Sequence, residues 1–126
     1  MYKIKPYETE DYDNVIDLLK ITNLFYEATD TKEVFDLKIK DDPESLLVAE
    51  INNEIVGFVL IRYDAWASSI CHLCSHPTKG KGAGFYLGSK AMGIIKGRGC
   101  KLVCSYTEIE NGKSVKLQAR SGWKNG

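Results

Sequence analysis

The segment Lys79-Gly80-Lys81-Gly82-Ala83-Gly84 has the clearest chemical content in this 126-residue chain. Closely spaced glycines let successive backbone N–H groups turn toward one point. A helix beginning just after them adds the positive end of its dipole, and the two together can cradle a pyrophosphate. Lys79 and Lys81 bring positive charge to the same place. A short glycine run also suits a simple chain reversal, so the loop alone leaves both readings open. Two familiar phosphate patterns are excluded. Gly88-Ser89-Lys90 has the wrong order for a Walker A loop and falls inside the following helix. A dinucleotide fingerprint needs an acidic residue ~20 positions on, where Lys101, Leu102 and Val103 stand instead.

The other chemically capable residues are four cysteines, at 71, 74, 100 and 104, and two histidines, at 72 and 76. Their spacing invites a zinc reading. Cys71 and Cys74 fall on a predicted strand, however, where residues three apart face opposite ways, and a structural zinc site wants its ligands in a turn. No metal site is expected. The same two-residue alternation turns His72 to the face opposite Ser69 and Cys71. His72 and His76 read as packed or solvated side chains, and Cys104 as a small buried hydrophobe.

These residues need elements to position them. Tyr2 to Tyr7 alternates as a short strand. Thr9 is the expected N-cap of a helix that presents Tyr12, Val15, Ile16 and Leu19 on one face. A more polar helix is expected from about Thr31 to Lys40, packing through Val34, Leu37 and Phe35 and ended by Asp41-Asp42-Pro43. Leu46 to Ile51 and Ile55 to Tyr63 form a hairpin around Asn52-Asn53-Glu54. Ser68 to Ser75 is the strand that enters the glycine loop. Ala83, Leu87, Ala91, Ile94 and Ile95 recur at helical spacing after it, although Gly88 and Gly93 each cost ~1 kcal/mol relative to Ala. Lys101 to Ile109 is a last strand and Ser114 to Ser121 a short helix. The order is β-α-α-β-β-β-α-β-α, a mixed sheet with helices on both faces.

Composition bounds the rest. With 44% hydrophobic and 27% charged residues, the chain suits a single domain spanning 1–126 with its own core. The longest apolar stretch, Ile55 to Ile61, is far short of the ~20 residues of a membrane helix, and the N-terminus lacks the apolar run of a signal peptide. Reduced thiols and a cytoplasmic location are expected. The formal net charge is zero, but residues 1–66 sum to −8 and residues 67–126 to +8. The basic half shows no nucleic-acid recognition module, and no nucleic-acid or membrane partner is expected. The acidic half, through Asp30, Glu33, Asp36, Asp41 and Asp42, suits either a solvated surface or attraction of a cationic partner.

Leu73-Cys74-Ser75-His76-Pro77 followed by the glycine loop resembles the motif strand, proline and Arg/Gln-x-x-Gly-x-Gly/Ala loop of the GNAT superfamily of N-acetyltransferases. Asn111 followed by Ser114-Val115-Lys116-Leu117-Gln118-Ala119-Arg120-Ser121-Gly122-Trp123 resembles that family's terminal Asn, short helix and Gly-Phe. The element order, with Val56-Gly57-Phe58 in the hairpin, is also similar. The resemblance covers nearly the whole chain. It implies an α+β fold with a mixed, mostly antiparallel sheet flanked by helices. It further implies acetyl-CoA as cofactor and an amine, on a small molecule or a peptide, as acceptor. The cofactor residues implied are Leu73, Cys74 and Ser75 on the strand, with backbone groups of Leu73 and Ser75 pairing with the pantetheine arm. Lys79, Gly80, Lys81, Gly82, Ala83 and Gly84 would hold the phosphates through backbone N–H groups, and Asn111 would touch the pantetheine.

The chain departs from that pattern in two places. The family's general-acid tyrosine corresponds to Gln118, which cannot donate a proton to a thiolate. Its usual base positions correspond to Ser69 and Cys71, with Tyr106 and Cys104 on the next strand as substitutes. Cofactor binding is therefore better supported than catalysis, and a non-catalytic acyl-CoA-binding or regulatory module is the alternative. Only Lys124, Asn125 and Gly126 follow Gly122-Trp123, so the fold is expected without the family's last strand or strands. The strand from Lys101 to Ile109 would then carry a bare edge, which predicts a homodimer that covers it.

Overall fold

The computed structural model describes residues 2–105. Five strands form one sheet in the order β1-β2-β3-β4-β5. They are β1 (Lys3–Pro6), β2 (Leu46–Ile51), β3 (Glu54–Arg62), β4 (Ser68–Ser75) and β5 (Val103–Ser105). The first four pair antiparallel, and β5 lies parallel to β4. Helices α1 (Tyr12–Ile21) and α2 (Lys32–Asp41) precede β2, and α3 (Ala83–Gly97) links β4 to β5. The described order matches the expected mixed, mostly antiparallel α+β arrangement up to β5. The expected strand from Lys101 begins at Val103; its residues 106–109, the helix at 114–121, and Tyr106, Asn111 and Gln118 lie outside the described residues.

Strand alternation divides the core between the two sheet faces. On one face Ala83, Leu87, Ala91, Met92 and Ile95 of α3 pack on Leu47, Val59, Ile61, Ile70 and Val103. On the other, Val15, Ile16, Leu18 and Leu19 of α1 and Phe35 of α2 pack on Leu46, Val48, Phe58 and Cys74. The hairpin turns on Asn52 and Asn53 at φ 53° and 66°, the positive values that a two-residue type I′ turn needs and that asparagine tolerates.

Two expectations about the helices are corrected. Thr9 lies inside a 3-10 turn, Thr9–Asp11, that leads into α1. Glu8 is the entry residue, its N–H donating to Asp11 Oδ2 at 3.0 Å. Helix α2 does begin behind Thr31, whose Oγ1 accepts the Val34 N–H at 3.2 Å, but its buried face is rotated. Phe35 is buried while Val34 and Leu37 are exposed. The reason is aromatic packing from elsewhere in the chain. Phe35 meets Tyr7 edge-on at 5.6 Å and stacks on Phe58 at 5.8 Å, contacts a helix period cannot foresee.

Candidate active site

The β3–β4 register shifts within the site strand. Phe58 pairs with Cys74, but Leu60 pairs with Cys71, so Val59 faces both His72 and Leu73. One extra residue on β4 is a β-bulge, a device that re-aims side chains. His72 sits in it at φ 52°, a left-handed backbone that costs a non-glycine residue about 1–2 kcal/mol. The alternation rule therefore fails at His72. Its ring turns to the α1–α2 loop, where Nε2 lies 3.1 and 3.0 Å from the two carboxylate oxygens of Asp30 and Tyr26 stacks on it at 5.8 Å. Asp30 is buried, and its Oδ2 also accepts the Tyr26 N–H at 2.8 Å. The Tyr12 hydroxyl donates to the Asp30 carbonyl at 2.7 Å.

Beyond the bulge the backbone of β4 divides its hydrogen bonding by side. The His76 N–H donates to Val56 O at 2.7 Å, and by alternation Cys74 also faces β3, opposite Phe58. The backbone groups of Leu73 and Ser75 then face the β5 side. There the parallel pairing covers only Ser68, Ser69 and Ile70, and no strand among the described residues reaches Leu73 or Ser75. Cys74 turns away from this open edge, its thiol pushed up to about 12 by burial. Ser69 is buried, paired between Arg62 and Cys104. Cys71 is half-buried, and burial raises its thiol against the opposing pull of Arg62 and Lys38. A thiol raised this way is a poor nucleophile and a poor base.

The glycine loop is tied down by His76, expected only as a packed or solvated side chain. His76 Nδ1 accepts the N–H groups of Thr78 and Lys79 at 3.2 and 3.1 Å, so the imidazole folds the turn. The Gly80 N–H donates to His76 O at 3.1 Å and the Ala83 N–H to Gly80 O at 2.9 Å. A Cβ on Gly80 would lie 2.5 Å from Val56 O and 2.9 Å from His76 N, so only glycine lets the loop approach β3 this closely. Gly82 precedes α3 at φ 88°.

Of the six N–H groups from Lys79 to Gly84, those of Lys79, Gly80 and Ala83 are thus used within the loop, and those of Lys81, Gly82 and Gly84 have no described partner. They stand at the N-terminus of α3, where the helix dipole favours an anion. The two lysines also differ. Lys79 Nζ pairs with Glu54 at 2.9 Å, while Lys81 is exposed with no described partner and its carbonyl accepts the Tyr2 hydroxyl. A Cβ on Gly84 would lie 3.9 Å from Ser75 Oγ, so the cradle and the open β4 edge adjoin. A separate cavity of about 350 Å³ between α1 and the hairpin turn is lined by Asn14, Asp17, Leu18, Glu54, His76 and Lys79. It includes none of Leu73, Ser75, Lys81, Gly82 or Gly84.

This geometry can be set beside known proteins. Residues 13–123 match the model of the acetyltransferase (GNAT) family. The chain belongs to the GNAT acetyltransferase family. An acetyltransferase of Pectobacterium atrosepticum is 33% identical over 99 residues, which span 78% of this chain and 70% of that one. In fold, the GNAT chain resembles the crystal structure of Ard1 from Thermoplasma volcanium, at TM-score 0.77 and 16% identity over 92% of this chain and 78% of that one. It also resembles the PaiA N-acetyltransferase of Thermoplasma acidophilum, solved in complex with coenzyme A, at TM-score 0.74 and 18% identity over 88% and 82% of the two chains. Among the described residues no group of three or more His, Cys, Asp or Glu side chains could hold a metal ion. No described helix is long and apolar enough to cross a membrane.

The sequence reading missed the His72–Asp30 pair, because the bulge arises from the pairing of β3 with β4. It also treated the six loop positions alike. The spacing of His76 to Thr78 and Lys79, two and three residues on, was the available sign that a side chain would take some of the loop's donors.

Proposed function

We propose that this GNAT chain transfers the acetyl group of acetyl-CoA to an amine by direct attack on the thioester. The observation that carries the reading is the cradle: N–H groups of Lys81, Gly82 and Gly84 with no partner among the described residues, at a helix N-terminus, beside a β4 edge at Leu73 and Ser75 that no described strand reaches. These residues fit the cofactor, with three backbone donors and Lys81 for the pyrophosphate and extended backbone groups for the amide-bearing pantetheine arm. Acetyl-CoA supplies an activated thioester. The chain's own contribution is to position it and to offer backbone N–H groups near the carbonyl where negative charge develops. The acidic half of the sequence supports a cationic acceptor, drawn in by long-range attraction.

Acetyl-CoA at ~100 times its dissociation constant adds ~2.7 kcal/mol of stability, a rise on the order of 10 °C in melting temperature for a chain this size. Release of CoA thiol with a panel of small amines and lysine peptides then identifies the acceptor. Absence of any acetyl-CoA-dependent thermal shift would overturn the reading.

A further inference from the structure

We propose that His72 is the general base that takes a proton from the acceptor amine and that Asp30 is the residue that positions it, an assignment resting on the acetyl-transfer reading above. The local backbone is arranged for this ring at some cost. A β-bulge and a positive φ of 52° are spent to bring one histidine off the alternation of its strand, and such strain is kept where the surroundings over-determine it. Those surroundings are the Asp30 carboxylate, the Tyr26 ring stacked on His72, and the Tyr12 hydroxyl holding the Asp30 backbone.

The chemistry follows from donor and acceptor counting. An ionised carboxylate only accepts hydrogen bonds, so Nε2 of His72 must carry the proton it shares with Asp30. That fixes the tautomer and leaves the lone pair on Nδ1, which has no hydrogen-bond partner among the described residues. An imidazole oriented through its far nitrogen by a buried carboxylate has Nδ1 as the atom that can accept a proton. Its place is chemically apt, because the next residue, Leu73, presents its backbone to the open edge proposed for the pantetheine arm. In the step itself, the acceptor ammonium gives one proton to Nδ1. The freed nitrogen lone pair forms the C–N bond to the acetyl carbon, the C–S bond breaks, and the nitrogen's second proton leaves with the thiolate as CoA thiol. His72 then returns its proton to water. The titratable groups facing the ring are Asp30 and Tyr26 from the α1–α2 loop, with Tyr12 of α1 behind Asp30 and Cys71 beside it on β4.

The test uses His72→Asn, since asparagine tolerates a left-handed backbone, and Asp30→Asn as a second variant. His72→Asn is expected to keep the acetyl-CoA thermal shift of the wild type. With the best amine of the panel it should lower kcat/KM by on the order of 10²–10⁴ and move the acidic limb of the pH–rate profile to higher pH, where the free amine itself accumulates. In the wild type, 15N spectroscopy of the ring should show a protonated Nε2 and an unprotonated Nδ1, and Asp30→Asn should shift that tautomer balance. Overturning results are a His72→Asn rate within threefold of wild type with its acidic limb intact, the opposite tautomer, or no CoA release with any amine although acetyl-CoA binds. Loss of the thermal shift in the wild type itself would instead remove the cofactor reading.

Discussion

Gly80 is the position at which the link between loop and sheet can be measured. A methyl group there would sit 2.5 Å from Val56 O and 2.9 Å from His76 N, the two atoms joined by the 2.7 Å hydrogen bond that anchors the loop to β3. Both contacts are with backbone, so neither neighbour can rotate away. The methyl must break the bond or displace the strand. Losing the bond costs about 1 kcal/mol net and forcing atoms into filled space about 1–3 kcal/mol, giving roughly 3 kcal/mol for Gly80→Ala. At ~4 °C per kcal/mol for a chain this size, the melting temperature falls by ~12 °C. Gly82→Ala isolates the other use of glycine. Its φ of 88° is unfavourable for a side chain, but the nearest atom to its Cβ is a Tyr2 ring carbon at 4.0 Å, so only a conformational cost of ~1 kcal/mol is expected. Gly93→Ala, in open space inside α3, should gain ~0.5–1 kcal/mol. Urea and thermal denaturation followed by circular dichroism would read all three. A Gly80→Ala protein within about 1 kcal/mol of wild type, or one more stable than Gly82→Ala, would refute the argument that close approach dictates this glycine.

Two further outcomes follow from the packing and the charges. Phe35→Ala should cost about 3–5 kcal/mol because a buried aromatic leaves a cavity, whereas Leu37→Ala, at a position 65% exposed, should cost under about 0.5 kcal/mol; equal effects in denaturant titrations would contradict the rotated face of α2. Arg98 donates through both guanidinium ends to Asp42 at 2.8 and 3.1 Å and to Glu44 at 3.0 Å, and the Arg98 hydrogen bond holds the Asp42 carboxyl below its ordinary value. A lowered carboxylate pKa stabilises the fold above the unfolded value of about 3.9 and ceases to do so as pH falls through the folded value. Arg98→Gln should therefore cost about 1 kcal/mol at neutral pH, with the difference from wild type shrinking below about pH 4; a pH-independent difference would count against the pairing.

What was legible in the sequence depended on how local its cause was. The hairpin was readable because Asn52 and Asn53 each tolerate the positive φ they adopt. The glycine loop at the start of α3 was readable because its glycine spacing and the helix pattern that follows are both local. His72 was not readable, since its direction comes from a register shift between two strands and from a carboxylate 42 residues away. The face of α2 failed similarly, because Tyr7 and Phe58 select Phe35. The charge split between the halves lies between these cases. Its division was countable, yet Lys79 pairs with Glu54 and Arg98 with Asp42 and Glu44, so part of the basic half neutralises part of the acidic half within the fold. The +8 is therefore not all available to an anionic cofactor. At the loop, the positive charge left unpaired by described side chains is that of Lys81, beside the three N–H groups that have no described partner. The Lys79–Glu54 pair is half-exposed and so weak. A bound phosphate could draw Lys79 away from Glu54 at little cost, adding the second lysine to the cradle only when the cradle is filled.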